Sequence, residues 1–346
     1  MAETMKAYVY ESANRAALRD VPHPKTDDDE ALIRVRAVGI CHTDLMVLSG
    51  VNIVPVPFPF IGGHEWTGEI VRVGAKVKAF KPGDRVVGEG NSGCGSCKIC
   101  RDGYADYCAV EPVQRGINTD GSFAEYYKLP ARLLHKIPDS MDWITASMIE
   151  PFSVAYNGIH AVGGCDAGDT VFIAGGGSIG LCAAVAAKAM GARVMLSEPQ
   201  ARRRAVAKAF GVDCAFDPTT EDIVQGVKSL TGDFGADLVI EASGNADSMK
   251  QALDIARNNG RVSYIGVNVG EAIPVEIGKI QMRGLLVRGM LGSPAVWGRV
   301  VDFLGQSKPD IARLSTHRFP LTEIDKAFAL ARNIKDSEAI KITVIM

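Results

Sequence analysis

Between Asp169 and Glu198 the sequence spells out a strand, a tight glycine turn, a helix, a second strand and an acid. No other stretch narrows the possible folds so far. Residues 169–174 form a short apolar run of the kind buried on both faces of a parallel sheet. The run passes directly into Gly175-Gly176-Gly177-Ser178-Ile179-Gly180, a G-x-G-x-x-G. Residues 181–190 are Ala-rich and read as a helix; residues 192–197 read as the next strand, and Glu198 follows eighteen residues after Gly180. That order is the setting a dinucleotide-binding βαβ unit requires. The glycines permit the turn and let a pyrophosphate approach the helix N-terminus. Glu198 is expected to accept hydrogen bonds from the adenosine ribose diol and to repel a 2′-phosphate, favouring NAD over NADP. Arg203, flanked by Arg202 and Arg204, works against that preference because one of the three could reach a phosphate.

The alternation continues through apolar runs at 236–244, 260–266 and 285–289, separated by helical stretches. This predicts a doubly wound parallel sheet. At 346 residues the chain has room for a second domain with its own core. The first 150 residues supply it: 6–10 and 30–37 show the period-two alternation of strands, with a Pro- and Asp-rich loop between them. A net charge of −2 gives no global basic field for nucleic acid. The longest apolar candidate, from Ile179 onward, is broken by Lys188, so no membrane span is expected. The N-terminal residues 1–6 lack a basic-then-apolar leader, and the expected address is the cytoplasm.

Eight cysteines in such a chain point to metal rather than cross-links, because four of them fall within fifteen residues. Cys94, Cys97, Cys100 and Cys108 make C-x2-C-x2-C-x7-C. Four thiolates from one loop suit a closed tetrahedral zinc site, which is structural because no position is left for substrate. An iron–sulfur cluster is the chemical competitor. A second set is mixed. Cys41 and His64 are joined by the carboxylates of Glu65 and Glu150, a combination that suits zinc with a position open for a substrate oxygen. Thr43 and Asp44 follow Cys41 at the end of a strand; the first could contact a bound alcohol and the second could orient a ligand histidine. Cys165, Cys182 and Cys214 have no metal spacing, and His135, His160 and His317 read as structural.

The run Gly63-His64-Glu65-Trp66-Thr67-Gly68, continued to Gly74 and Val77 and followed by Lys81-Pro82-Gly83-Asp84-Arg85-Val86, resembles the zinc signature of medium-chain alcohol dehydrogenases and its K-P-G-D-x-V turn. The resemblance extends over essentially the whole chain. It implies an α/β protein with a Rossmann domain over 154–291 inserted in a mostly β, GroES-like catalytic domain over 1–153 and 292–346, with a structural-zinc lobe at 91–110. It implies two zincs per chain and NAD as cofactor, with the backbone near Ile265, Gly266, Met290 and Leu291 lining the nicotinamide pocket. The ethanol-oxidising branch carries a ligand cysteine where this chain has Glu150. Glu150-Pro151 resembles instead the sorbitol (polyol) and threonine dehydrogenase branch. There the carboxylate at Glu65 can ligate zinc and the one at Glu150 can hold its water, so one or both complete the set.

The family pattern C-x-[ST]-D-x-H makes Thr43 the inner proton relay, and its final position here is Met46. Methionine carries no proton, so His42 or a water chain is expected to serve as the outer relay. The reading implied is a zinc-dependent oxidation of a secondary alcohol, a polyol or sugar, by NAD. The alternatives are a threonine-type 3-hydroxy amino acid dehydrogenase and a non-catalytic nucleotide-binding protein on the same fold. Small-molecule substrate, no nucleic acid and no membrane complete the expectation. So does a homotetramer, toward which the apolar run Leu285-Leu286-Val287 contributes.

Overall fold

The computed structural model describes residues 4–51, 55–334 and 337–346. Met1–Glu3, part of the N-terminal run read above for a leader, lie outside the described residues. The chain divides into two compact units, Met1–Glu150 with Trp297–Met346, and Pro151–Val296.

The first unit opens with β1 (Thr4–Ser12), β2 (Arg15–Pro22) and β3 (Glu30–Ile40), then α1 (His42–Leu48), β4 (Phe60–Ile61), β5 (Glu65–Val73), β6 (Arg85–Gly88) and β7 (Asn91–Ser92). It continues through α2 (Lys98–Arg101), β8 (Val113–Gln114), β9 (Tyr126–Pro130), β10 (Leu134–Lys136) and α3 (Trp143–Ser147) to the start of α4 (Ile149–His160). β1 and β2 form an antiparallel hairpin that the sequence reading misses. The reason is burial: β2 is partly exposed along its whole length, so no apolar alternation marks it.

β3 is the organising strand of this unit. β5 runs antiparallel along one edge, from Ala31↔Val73 to Gly39↔Glu65. The other edge is shared, with β9 on Glu30–Arg34 and the closing strand of the chain on Ala37–Ile40. Most of β3 is buried as a result, apart from Arg34 and Arg36 on one face, and Ile33, Val35 and Val38 are fully inside. An aromatic cluster of Tyr8, Tyr10, Phe60, Phe123 and Phe328 packs with it.

The second unit contains β11 (Thr170–Ala174), α5 (Ser178–Ala189), β12 (Arg193–Ser197), α6 (Ala201–Ala209), β13 (Cys214–Phe216), α7 (Ile223–Leu230), β14 (Ala236–Glu241), α8 (Ala246–Ile255), β15 (Ala256–Tyr264), α9 (Gly278–Arg283) and β16 (Leu286–Gly289). Its sheet is parallel throughout, in the order β13-β12-β11-β14-β15-β16. The strand sequence reverses direction between β11 and β14, which makes the carboxyl end of β11 the switch point where such sheets bind ligands. β13, only three residues long, is the strand the sequence pattern does not announce. β16 is an edge strand with Leu286 exposed, the position in the apolar run expected to need covering.

The chain then returns to the first unit through α10 (Trp297–Ser307), β17 (Ser315–Pro320), α11 (Ile324–Arg332) and β18 (Lys341–Ile345). β18 is the strand paired with the end of β3. Among the described residues, no helix is long and apolar enough to cross a membrane.

Candidate functional site

Three strand ends meet where β3 finishes. β3 delivers Cys41, which caps α1; β5 begins with Glu65, directly after His64; and β18 begins with Lys341. The registers Gly39↔Glu65 and Ile40↔Ile342 set them side by side. Cys41 Sγ, a ring nitrogen of His64 and a carboxylate oxygen of Glu65 lie within 4.8 Å of one another. Gly39 is essential to this: any Cβ there would collide with the Glu65 carboxylate lying across the strand.

Thr43 and Asp44 belong to the first turn of α1, whereas the sequence suggests a strand end. The helix starts because Asp44 reaches back: its Oδ2 accepts the Cys41 N–H at 2.8 Å. The other oxygen of this fully buried carboxylate faces His64 Nδ1 at 3.5 Å. Thr43 Oγ1 lies 3.6 Å from Cys41 Sγ. His42 points outward and is exposed.

Lys341 is the residue that sequence reasoning missed. Its ammonium is almost completely buried, donates to both oxygens of Glu65 at 2.7 and 2.5 Å and to the Ile40 carbonyl at 3.2 Å. Burial opposes its charge, but the Glu65 carboxylate and the Cys41 thiol outweigh that, and its pKa is raised. Glu65 therefore comes to any ion with its charge already balanced. Glu150 opens α4 and stands outside the three-residue group, yet it is close enough to feel it. Burial pushes its carboxyl up to about 7; His64 and Lys341 pull it down, and Glu65 and Asp44 push it further up. For His64, burial disfavours the charged ring, but Asp44 and Cys41 more than compensate, and its pKa is raised.

Cys94, Cys97, Cys100 and Cys108 form a second group, with all four sulfurs within 4.8 Å of one another. Cys108 Sγ is 3.8 Å from Cys94 Sγ and 3.9 Å from Cys97 Sγ. A tetrahedron with metal–sulfur bonds of about 2.3 Å has edges of about 3.8 Å. The spacing fits one ion and leaves no room for a multi-iron cluster. The Ser96 hydroxyl and then main-chain N–H groups pull Cys94 down to about 6, and the N–H groups of Cys94 and Glu111 lower Cys108, whereas burial pushes Cys100 up to about 12.

In the second unit, Gly175 sits at φ +104° at the end of β11, and Gly177 caps α5. A Cβ on Gly180 would strike the Gly175 carbonyl, so helix and strand approach as closely as the fingerprint demands. Ser178 and Ile179 form the first turn of α5. Glu198 follows β12 and folds back on this loop; its oxygens accept the Gly176 N–H at 2.8 Å and the Gln200 N–H at 2.9 Å. Arg204 is committed elsewhere, to the Glu198 and Pro199 carbonyls and to Asp217. Arg202 beside it is exposed and Arg203 is half-buried. Ile265, buried, and Gly266 follow β15; Met290 and Leu291 follow β16, and the Met290 N–H bonds the Tyr264 carbonyl.

Comparison with known proteins points one way. Residues 27–139 match the alcohol dehydrogenase GroES-like domain, and residues 178–306 match the zinc-binding dehydrogenase domain. The chain is 32% identical to an L-threonine 3-dehydrogenase of Cronobacter sakazakii, covering 93% of this chain and 95% of the relative. It is 33% identical to the sorbitol dehydrogenase of Bacillus subtilis, covering 99% and 97%. Among solved structures, a Sinorhizobium meliloti protein taken to be a zinc-binding dehydrogenase, bound to NADP, superposes with a TM-score of 0.93 at 33% identity, covering 99% of this chain and all of that one.

Two outcomes are expected from this geometry. Lys341→Met should destabilise the protein by on the order of 3–5 kcal/mol, because it strands a buried carboxylate. Adding Glu65→Gln should recover part of that loss in denaturant unfolding; a double variant no more stable than the single one would show that the pair is not the cause. Second, metal must displace protons from His64 and Glu150, both shifted upward. Affinity for zinc at the Cys41–His64 centre should therefore tighten as pH rises from 6 to 8, by up to about tenfold per unit for each proton released. Chelator competition across that range measures it, and a flat profile refutes it.

Proposed function

The chain belongs to the zinc-dependent medium-chain alcohol dehydrogenase family, and from that premise we propose that it oxidises a secondary alcohol, a polyol or sugar, with NAD. The observation that carries the proposal is the group of Cys41, His64 and Glu65 at the end of β3, with Glu150 nearby.

In this reading Cys41 and His64 hold a catalytic zinc. Glu65 is engaged by Lys341, and Glu65, Glu150 or both would complete the set around the ion. The zinc, when bound, would act as a Lewis acid on the substrate oxygen, and the nicotinamide would accept the hydride. Asp44 orients His64, and Thr43 takes the proton of the substrate hydroxyl into its own hydrogen bond and passes one onward. Met46 cannot continue that chain, and the exposed His42 at the helix start hands the proton to solvent. Cys94, Cys97, Cys100 and Cys108 hold a second, structural zinc, which staples a lobe with few regular elements. Gly175, Gly177, Ser178, Ile179 and Gly180 receive the pyrophosphate, and Ile265, Gly266, Met290 and Leu291 line the nicotinamide site. Glu198, already placed beside the loop by its bond to Gly176, supports NAD; Arg203 is the residue through which NADP would compete. Glu150-Pro151 and the identity with sorbitol dehydrogenase support a polyol.

The test is elemental analysis together with NAD and NADP reduction against polyols, simple secondary alcohols and threonine. Two zincs per chain and highest kcat/KM for a polyol with NAD are expected. Threonine as the preferred substrate would move the chain to the second reading, and no turnover with any alcohol would leave a nucleotide-binding protein.

Thr43→Ala should lower kcat by roughly 10²–10⁴-fold with zinc content intact, the usual range for a lost proton-transfer group. His42→Ala should cost less and shift the pH profile, since imidazole titrates near neutrality. Near-normal kcat for Thr43→Ala, with a deuterium isotope effect showing hydride transfer to be rate-limiting, would exclude the relay.

A further inference from the structure

Three buried polar atoms beside the Cys41–His64 centre have no hydrogen-bond partner in ordinary geometry: Tyr10 Oη, Asp44 Oδ1 and His64 Nδ1. Buried polar atoms are rarely left so, and three in one place call for a common explanation. The last two face each other at 3.5 Å. Tyr10 is fully buried on β1, opposite Phe60 in the register with β4. Its phenol lies against Gly62, two residues before His64, where any Cβ would collide with the ring and its hydroxyl. Burial and then the Asp44 carboxylate hold the hydroxyl in its protonated form, with a pKa raised well above that of an ordinary phenol. A phenol that keeps its proton next to a carboxylate is a donor.

We propose that Tyr10 is a positioning residue for the Cys41–His64 metal centre and acts through Asp44. Asp44 Oδ2 is already fixed by the Cys41 N–H. An ion on His64 Nε2 requires the proton on Nδ1, which then donates to Asp44 Oδ1. That oxygen has two lone pairs, and the Tyr10 hydroxyl fills the second. The carboxylate is then held by three donors: the Cys41 main-chain N–H, the His64 ring and the Tyr10 hydroxyl. Tyr10 also braces the Gly62-Gly63 segment that carries His64. Phenylalanine would keep this packing and lose only the third donor.

The inference rests on the reading that Cys41 and His64 bind a metal ion, and the experiment separates the two. Zinc affinity at this centre is measured by chelator competition on the full-length protein, with the four-cysteine site as internal reference. Cobalt-loaded protein gives a visible spectrum as a second readout. Partners one shell out from a ligand typically contribute 10–100-fold to metal affinity, and Tyr10 stands one bond further. Tyr10→Phe should weaken zinc at the Cys41–His64 centre by roughly 3–10-fold and shift the cobalt bands, while the reference site and the unfolding midpoint of the metal-free protein stay unchanged. In an Asp44→Asn background the same substitution should have no further effect, because the pathway through Asp44 is already cut. If Tyr10→Phe fails to fold, Gly62→Ala, which displaces the phenol while keeping its hydroxyl, should weaken zinc similarly. A wild-type protein that binds no zinc outside the four cysteines refutes the metal reading itself. Wild-type binding with unchanged affinity in Tyr10→Phe, or an equal loss with and without Asp44→Asn, refutes the role of Tyr10 alone.

Discussion

The register of β3 against two antiparallel neighbours is the constraint from which the metal centre follows. β5 and β18 begin on either side of the point where β3 ends, so His64, Glu65 and Lys341 arrive beside Cys41 by main-chain pairing alone. A slip of one residue on either edge would turn the side chains to the other face of the sheet. Burial of the apolar side chains of β3 and the absence of a side chain at Gly39 fix that register, the first through packing and the second through the space the Glu65 carboxylate occupies.

Charge then decides how the centre behaves. Asp44, Glu65 and Glu150 bring carboxyl groups into a nearly dry space beside Cys41, and Lys341 is the only fully buried Lys or Arg among the described residues. Without a metal ion the balance is restored by protons, on His64 and on Glu150. A divalent cation would do the same work and release them. Lys341 removes Glu65 from that exchange by holding both its oxygens. The two glutamates, equivalent on chemical grounds, are thereby set apart: a counterion fixes Glu65, and burial raises the Glu150 carboxyl to about 7.

What could be read in advance was whatever the chain keeps within one local turn. The glycine fingerprint, its acidic partner and the four-cysteine lobe are each encoded in a short stretch, and the fold has to honour the spacing. The centre at β3 was legible only as a set of ligand types. Lys341 is 276 residues from Glu65 and looks, in sequence, like the first residue of an apolar closing strand. Tyr10 reads as one more core aromatic. β2 escaped because it is partly exposed on both faces, and α1 because a cysteine followed by a polar residue resembles a strand end until Asp44 folds back to cap it. Each omission involves a partner brought in by sheet pairing or by a cap, which hydrophobic periodicity does not record.

The two metal-ligand groups differ in kind, and the difference separates their roles. In the four-cysteine lobe the sulfurs already stand at tetrahedral spacing, like ligands surround the position, and backbone N–H groups favour the thiolates of Cys94 and Cys108. Geometry would hold an ion there, with no approach for a fifth ligand. At the end of β3 the ligands are unlike, few and backed by a carboxylate whose protonation is set near neutrality. An ion there would be held by charge as much as by shape. A site of that kind can admit another oxygen to the ion and compensate by moving a proton on a neighbouring carboxyl. The same softness makes its ligand geometry dependent on the groups behind it, so that the hydrogen bonds of Asp44 matter more here than any single bond around the closed lobe.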